Sequence, residues 1–199
     1  MIDAASLIAF NLALLGALAS PGPAVMAMLR AALSDGRRAG FLCGLGLTIG
    51  AVSWSLLAVL GLTALFAVAP WAFVTLKLAG AAYLIWLAVS LWRNARTPAN
   101  FDAPAGVNGL KLGLLTNFAN PKAVVFVAAI FTTVFPAMPT GIDAVLVLAN
   151  HFVLELLFYS IVTLGLTIPA IRHLYLKSKS VVDRAAAATL GVMALRIAS

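Results

Sequence analysis

The sequence predicts an all-α polytopic membrane protein: six transmembrane helices in two inverted three-helix repeats, with broken helices in spans one and four. Three observations predict it. The chain of 199 residues is 63% hydrophobic and 10% charged, with mean hydropathy +1.08, whereas a soluble domain is nearer half apolar and a quarter charged. Its basic residues fall in short connectors between long apolar runs, which is the topology signal of membrane proteins. Two of those runs, the first and the fourth, are interrupted by proline motifs. The net charge of +7 is therefore no argument for a nucleic-acid partner, and the lipid bilayer is the expected surrounding. The single cysteine, Cys43, excludes an internal disulfide.

The spans follow in order. Residues 7–29 carry no charge and suffice to cross a core of about 30 Å. "LALLGALASPGPA" mimics a secretory leader with Ala17 and Ala19 at a cleavage site, but no Lys or Arg precedes it, so it reads as span one. Residues 39–76 are uncharged and too long for one span, and they divide at 67–71, where Pro70 breaks the helix. Span three ends at Trp92, before Arg93 and Arg96. Residues 97–109 form a cytoplasmic linker between a first half, 1–96, and a second half, 110–199. Span four covers 110–135, residues 136–143 form a tight turn, and span five covers 144–171. A basic connector holds Arg172, Lys177, Lys179 and Arg184, and a short sixth span fills 185–199 despite Arg196. Ten of the thirteen Lys and Arg lie in or at the edge of connectors 1–2, 3–4 and 5–6, counting Lys111 at the start of span four. The positive-inside rule places those connectors in the cytoplasm and both termini outside.

Glycines concentrate in span two, with Gly36, Gly40 and Gly44 at spacing four and Gly46 with Gly50 on another face. Small residues at that spacing let helix backbones approach closely, so packing is the expected role.

The interruptions are "ASPGPAV" at 19–25 and "ANPKAV" at 119–124, both near mid-membrane by residue count. Proline removes a helical hydrogen bond and drives the residue before it from α geometry. Ser20-Pro21 and Asn120-Pro121 each look like an N-cap followed by proline at the first helical position. Each span then contains a half-helix that starts inside the membrane, with free N–H groups and the positive dipole end toward the protein centre. A repeat of three spans is odd, so the second copy is inverted. Interrupted segments at matching places in two halves point to a transporter binding site.

The second break carries the charge of "TNFANPKAVVFVAAIF". A lysine in the hydrocarbon core costs about 2.5–3.5 kcal/mol on insertion scales. Lys122 also opposes the dipole of its own half-helix. It is expected to face an interior cavity with a carboxylate or an anionic substrate. Glu155, about halfway along span five, is the acid deep enough to serve, either in contact with Lys122 or bridged to it. Glu155 is a candidate proton carrier, with a static ion pair as the structural alternative. His151 lies one turn earlier on the same face, and Lys77 is expected to snorkel outward beside Trp71. With two histidines and one cysteine, no metal site is expected, and no cofactor motif or nucleophile–base arrangement stands out.

Over nearly its whole length the chain resembles the LysE/RhtB family of bacterial amino-acid exporters. The resemblance rests on "SPGPAV" in span one, the glycine-rich span two, "KLAGAAYLIWLAVSLWR" from Lys77, "LLTNFANPKAVVFVAAIF" from Leu114, and the acid in span five. It implies a protein of the bacterial cytoplasmic membrane that exports amino acids or small derivatives, driven by the proton gradient. Pro21, Gly22, Pro23, Asn117, Asn120, Pro121 and Lys122 match the family motifs, with Lys77, Gly80 and Tyr83 in span three. Ser20 and Glu155 complete the expected substrate site, and His151 is an additional candidate. The expected partners are an amino acid or derivative and protons, with a homodimer left open. A membrane scaffold or lipid-handling protein also explains the spans, but it leaves Lys122 and Glu155 without a task. A metal-cation exporter needs more core carboxylates or thiols, and an intramembrane enzyme lacks catalytic residues.

Overall fold

The computed structural model describes residues 2–19, 22–69 and 108–198, together with residues 71, 75, 78, 82, 85, 86, 88–90, 92, 93, 95 and 96. Among the described residues all regular structure is helical. The helices described without interruption are α1 (Ala4–Ala19), α2 (Pro23–Ser34), α3 (Arg37–Val68), α4 (Gly109–Phe118), α5 (Pro121–Val134), α6 (Gly141–Leu166) and α7 (Pro169–Ala198). The described residues between Trp71 and Arg93 are helical as well.

Local chemistry sets the ends. Asp3 starts α1 by accepting from the Ser6 amide at 2.8 Å and the Ser6 hydroxyl at 2.7 Å. Those bonds favour the charged form and hold the Asp3 carboxyl below its ordinary range. That cap is present above the ordinary carboxyl pKa and is lost as the pH falls through the lowered one. Asn108 caps α4 by accepting from the Leu110 amide at 3.0 Å. Asn120 caps α5 by accepting from the Lys122 amide at 3.0 Å, and Pro121 occupies the first turn, where its missing N–H costs nothing. At the other break the cap is Gly22 with Pro23 following, rather than Ser20 with Pro21. Ser20 and Pro21 lie outside the described residues. Gly36, at φ 86°, makes the left-handed turn between α2 and α3.

Helix α6 shows which solvent surrounds the protein. Its buried stripe is Val147, His151, Glu155, Tyr159 and Thr163. Its exposed stripe is Ile142, Val145, Leu146, Val153, Leu157, Ile161 and Leu164. A helix that hides imidazole and carboxylate while presenting aliphatic carbons is stable against lipid, not water. Both α3, over Arg37–Gly61, and α6, over Gly141–Leu166, are long and apolar enough to cross a membrane. The pairs α1–α2 and α4–α5 meet that test when each is taken together, and they bend by 58° and 63°.

Helix α3 lies at the centre, packed against α2, α4, α5 and α6. Its two glycine faces serve different neighbours. A Cβ on Gly40 would strike Ala32 of α2 and Thr163 of α6, and one on Gly44 would strike Tyr159. Gly46 and Gly50 face α4, meeting Leu110, Leu114 and Asn117. Gly113 returns the contact, with its missing Cβ directed at the Cys43 carbonyl and the Leu47 amide. Packing is thus the role of these glycines, and the contacts fix helix directions. Gly109 meets Ala39 and Asn117 meets Gly50, so α4 runs parallel to α3. Tyr159 meets Gly44 and Thr163 meets Gly40, so α6 runs antiparallel. An apolar cluster of Phe10, Leu14, Phe126, Ile130, Phe131 and Phe135 joins α1 to α5.

The C-terminal region departs from expectation. Residues 172–184 are not a connector but part of a helix that runs unbroken for 30 residues from Pro169 to Ala198. Span five ends at Leu166 and the turn sits at Thr167 and Ile168, because Pro169 stops one helix and starts the next. Downstream, the lysines, arginines and alanines are good helix formers, and charge alone does not end a helix. Helix α3 ends at Val68, within the expected divide, and α6 begins at Gly141, three residues before the expected start. The expected linker at 97–107 lies outside the described residues.

The α3–α4 seam gives a direct prediction. Gly113→Ala places a methyl on backbone atoms that no rotamer change can move, and it lowers stability by about 1–3 kcal/mol. Gly61→Ala, with nothing within 4 Å of the added carbon, leaves the thermal unfolding midpoint in detergent unchanged. Equal midpoints for the two variants would contradict the seam.

Candidate functional site

The two bends open on one cavity of about 80 Å³. A single water needs roughly 10–15 Å³ on this measure, so the space takes several waters or a compact solute. Helices α1 and α2 contribute Leu14, Gly22 and Val25, and α4 and α5 contribute Asn117, Lys122 and Phe126. Helix α6 contributes His151, Glu155 and Tyr159, and Asn120 lies at the α4–α5 break. The α2 terminus has no side-chain cap, because Gly22 has no side chain to offer. Its free amides therefore begin at the cavity wall.

Glu155 is 2% exposed and His151 1% exposed. The His151 Nε2 lies 2.8 Å from Glu155 Oε2. The other ring nitrogen, Nδ1, lies 2.8 Å from the hydroxyl of Ser55 on α3, itself fully buried. Phe10 of α1 closes over the imidazole edge-on at 5.6 Å. Tyr159, one turn beyond Glu155, interacts with that carboxylate. Farther along, Asn11 and Asn150 exchange amide hydrogen bonds at 2.6 and 3.4 Å and tie α1 to α6.

Lys122 and Glu155 thus line one cavity but do not form an ion pair with each other, since the partner of Glu155 is His151. The acid whose field acts on Lys122 is Asp183 of α7, 2% exposed. Asn117 is 4% exposed, and its Oδ1 has no hydrogen-bond partner among the described residues. The cavity wall therefore offers an ammonium and free amides to an anion. It also offers the Glu155 carboxylate to a cation.

Of the residues expected at the site, Gly22, Pro23, Asn117, Asn120, Lys122, His151 and Glu155 line this cavity. Pro121 heads α5 at its first position. Ser20, Pro21, Lys77, Gly80 and Tyr83 lie outside the described residues. Three residues were missed. Tyr159 continues the spacing of four from His151 and Glu155, a stripe readable in the sequence. Asp183 was placed in the connector, although unbroken helix propensity after Pro169 would have carried it into the bundle. Ser55 gives no signal, because only the crossing of α3 and α6 brings it to His151. Among the described residues no three His, Cys, Asp or Glu side chains cluster as metal ligands.

The chain is similar in sequence to known membrane proteins. The membrane protein YahN of Escherichia coli (strain K12) is 28% identical over 183 residues, covering 89% of this chain and 82% of its own length. The threonine efflux protein of Salmonella typhi is 29% identical over 180 residues, 84% of each chain. The homoserine/homoserine lactone efflux protein of Salmonella typhimurium is 34% identical over 126 residues, 60% of each chain. No solved structure matches the chain. Residues 15–199 match the family model described as LysE type translocator, and with that span nearly the whole chain belongs to the LysE translocator family of membrane exporters.

Proposed function

We propose that the protein exports amino acids or small amino-acid derivatives across the bacterial cytoplasmic membrane in exchange for protons. The substrate sits in the cavity between the two bends. The observation that carries this reading is the complementary wall: Lys122 and the uncapped amides of α2 on one part, Glu155 on another. An amino-acid zwitterion brings both matching charges. Its carboxylate neutralises Lys122, and its ammonium takes the place of a proton at Glu155. Gly22 with Pro23 and Asn120 with Pro121 form the half-helix starts that meet the carboxylate, and Lys77, Gly80 and Tyr83 are proposed as further substrate residues. Efflux of threonine and of homoserine by relatives supports a short polar side chain as cargo.

The architecture we propose is six spans as two inverted halves, 1–96 and 110–199, with each bent pair one interrupted span. Both termini face outside. The parallel course of α3 and α4 and the antiparallel course of α6 support it. So does a bend between 58° and 63° at a matching place in each half. Alternating access then rocks one half against the other around a fixed site.

Counterflow in proteoliposomes over an amino-acid panel that includes threonine and homoserine tests the reading. Lys122→Ala removes a charge-assisted hydrogen bond to the substrate carboxylate and raises the half-saturating concentration about tenfold or more. No transport of any amino acid by the wild-type protein overturns the exporter reading and favours a scaffold. A separate measurement addresses the proton. Glu155→Gln is expected to fold and insert, yet to transport with little pH dependence. An unchanged pH profile in that variant removes Glu155 as the proton carrier.

A further inference from the structure

The strongest feature beyond the cavity wall is the buried chain from Ser55 through His151 to Glu155. Its outer members are held 2.8 Å from the two ring nitrogens. Serine, histidine and a carboxylate together invite comparison with a hydrolytic triad, but the placement excludes that. Ser55 is fully buried and does not line the cavity, so no substrate reaches its oxygen.

With Glu155 ionised and the ring neutral, the hydrogen-bond chemistry allows one consistent assignment. A carboxylate only accepts, so Nε2 must carry the ring proton. In a neutral ring Nδ1 is then an acceptor, and the Ser55 hydroxyl must donate to it. Elsewhere on α3, hydroxyls donate to the carbonyl one turn back, as Thr48 does to Gly44 and Ser53 to Ile49. Ser55 instead points its oxygen at the imidazole across the helix interface. We infer that Ser55 is a positioning residue for proton coupling: by donating to Nδ1 it acts with Glu155 to hold His151 in the Nε2–H tautomer, with that N–H on Glu155 Oε2. This inference rests on the exporter reading above.

The other charged and titratable groups near the pair are few. Lys122 of α5 shares the cavity, and Tyr159 of α6 adjoins Glu155. Helix α1 carries no titratable residue. On α3, Arg37, Arg38 and Cys43 precede Ser55 by 12 to 18 residues, roughly 18–27 Å along the helix. Arg30 of α2 lies at the level of Tyr159 and Thr163, because Met28 approaches Gly44 and Ala32 approaches Gly40. On α7, Asp183 acts on Lys122.

Loss of the Ser55 hydroxyl frees Nδ1 to take the ring proton. Nε2 then accepts instead of donating, so Glu155 Oε2 loses its donor and the proton-coupled step changes its pH dependence.

The chain has two histidines, so His173→Gln, on the exposed side of α7, leaves His151 as the sole imidazole. Nitrogen-15 NMR of this full-length protein in lipid nanodiscs reads the tautomer without any transport assay. The expected spectrum is the Nε2–H form alone. Adding Ser55→Ala should populate the Nδ1–H form and change the pH profile of counterflow. Ser55→Thr should restore both. A dominant Nδ1–H form before any change at Ser55, or a tautomer and pH profile indifferent to Ser55→Ala, overturns the inference even if export proceeds. A tautomer that follows Ser55 in a protein that moves no amino acid upholds the lock on His151 while the exporter reading falls.

Discussion

Glu155 is a carboxylate at the middle of a membrane-crossing helix, and the surrounding structure answers the cost of placing it there. It is 2% exposed and bonded to an equally buried imidazole. That imidazole takes its second bond from another helix. Each group satisfies the next, which is the condition for a polar network to be tolerated in a low-dielectric interior. The rest of α6 follows from it. Polar residues recur at spacing four on the buried side, and aliphatic carbons cover the side that meets lipid.

The network also needs helices close enough to hold it. Gly44 lets Tyr159 of α6 approach α3. Gly46, Gly50 and Gly113 let α3 and α4 touch backbone to backbone, which brings Asn117 to the cavity wall. The same crossing delivers Ser55 to His151. The proline breaks complete the arrangement, since a continuous helix would present closed hydrogen bonds where α2 presents uncapped first-turn amides. Glycine seam, proline breaks and buried charges therefore form one device and not three independent features.

Much of this was legible in the sequence, for identifiable reasons. Apolar runs and the K/R pattern report directly on bilayer solvation, so the helical membrane class could be read. Asn120-Pro121 is a local capping signal, and the cap forms as read. Ser20-Pro21 was the wrong choice between two adjacent prolines, since helix α2 starts at Pro23. The C-terminal connector was misread because charge was taken as a sign of a loop, whereas lysine and arginine prolong a helix readily. Lys122 and Glu155 are expected at one site, in contact or bridged, and both line the cavity; the direct contact of Glu155 is with His151 one turn away, because depth does not fix azimuth around a helix. Ser55 was out of reach for the same reason, as its role exists only through the angle between α3 and α6.

The most direct test of the account is the distance between substrate and Lys122. Solid-state NMR can measure it between the 13C-labelled carboxyl carbon of a bound amino acid and 15N-labelled lysine ammonium groups, with Lys122→Arg assigning the signal. The account predicts a separation of about 4 Å or less, as in a charge-assisted hydrogen bond. Dephasing that survives Lys122→Arg, or a bound carboxyl carbon with no lysine nitrogen near it, would contradict the placement of the substrate between the two bends.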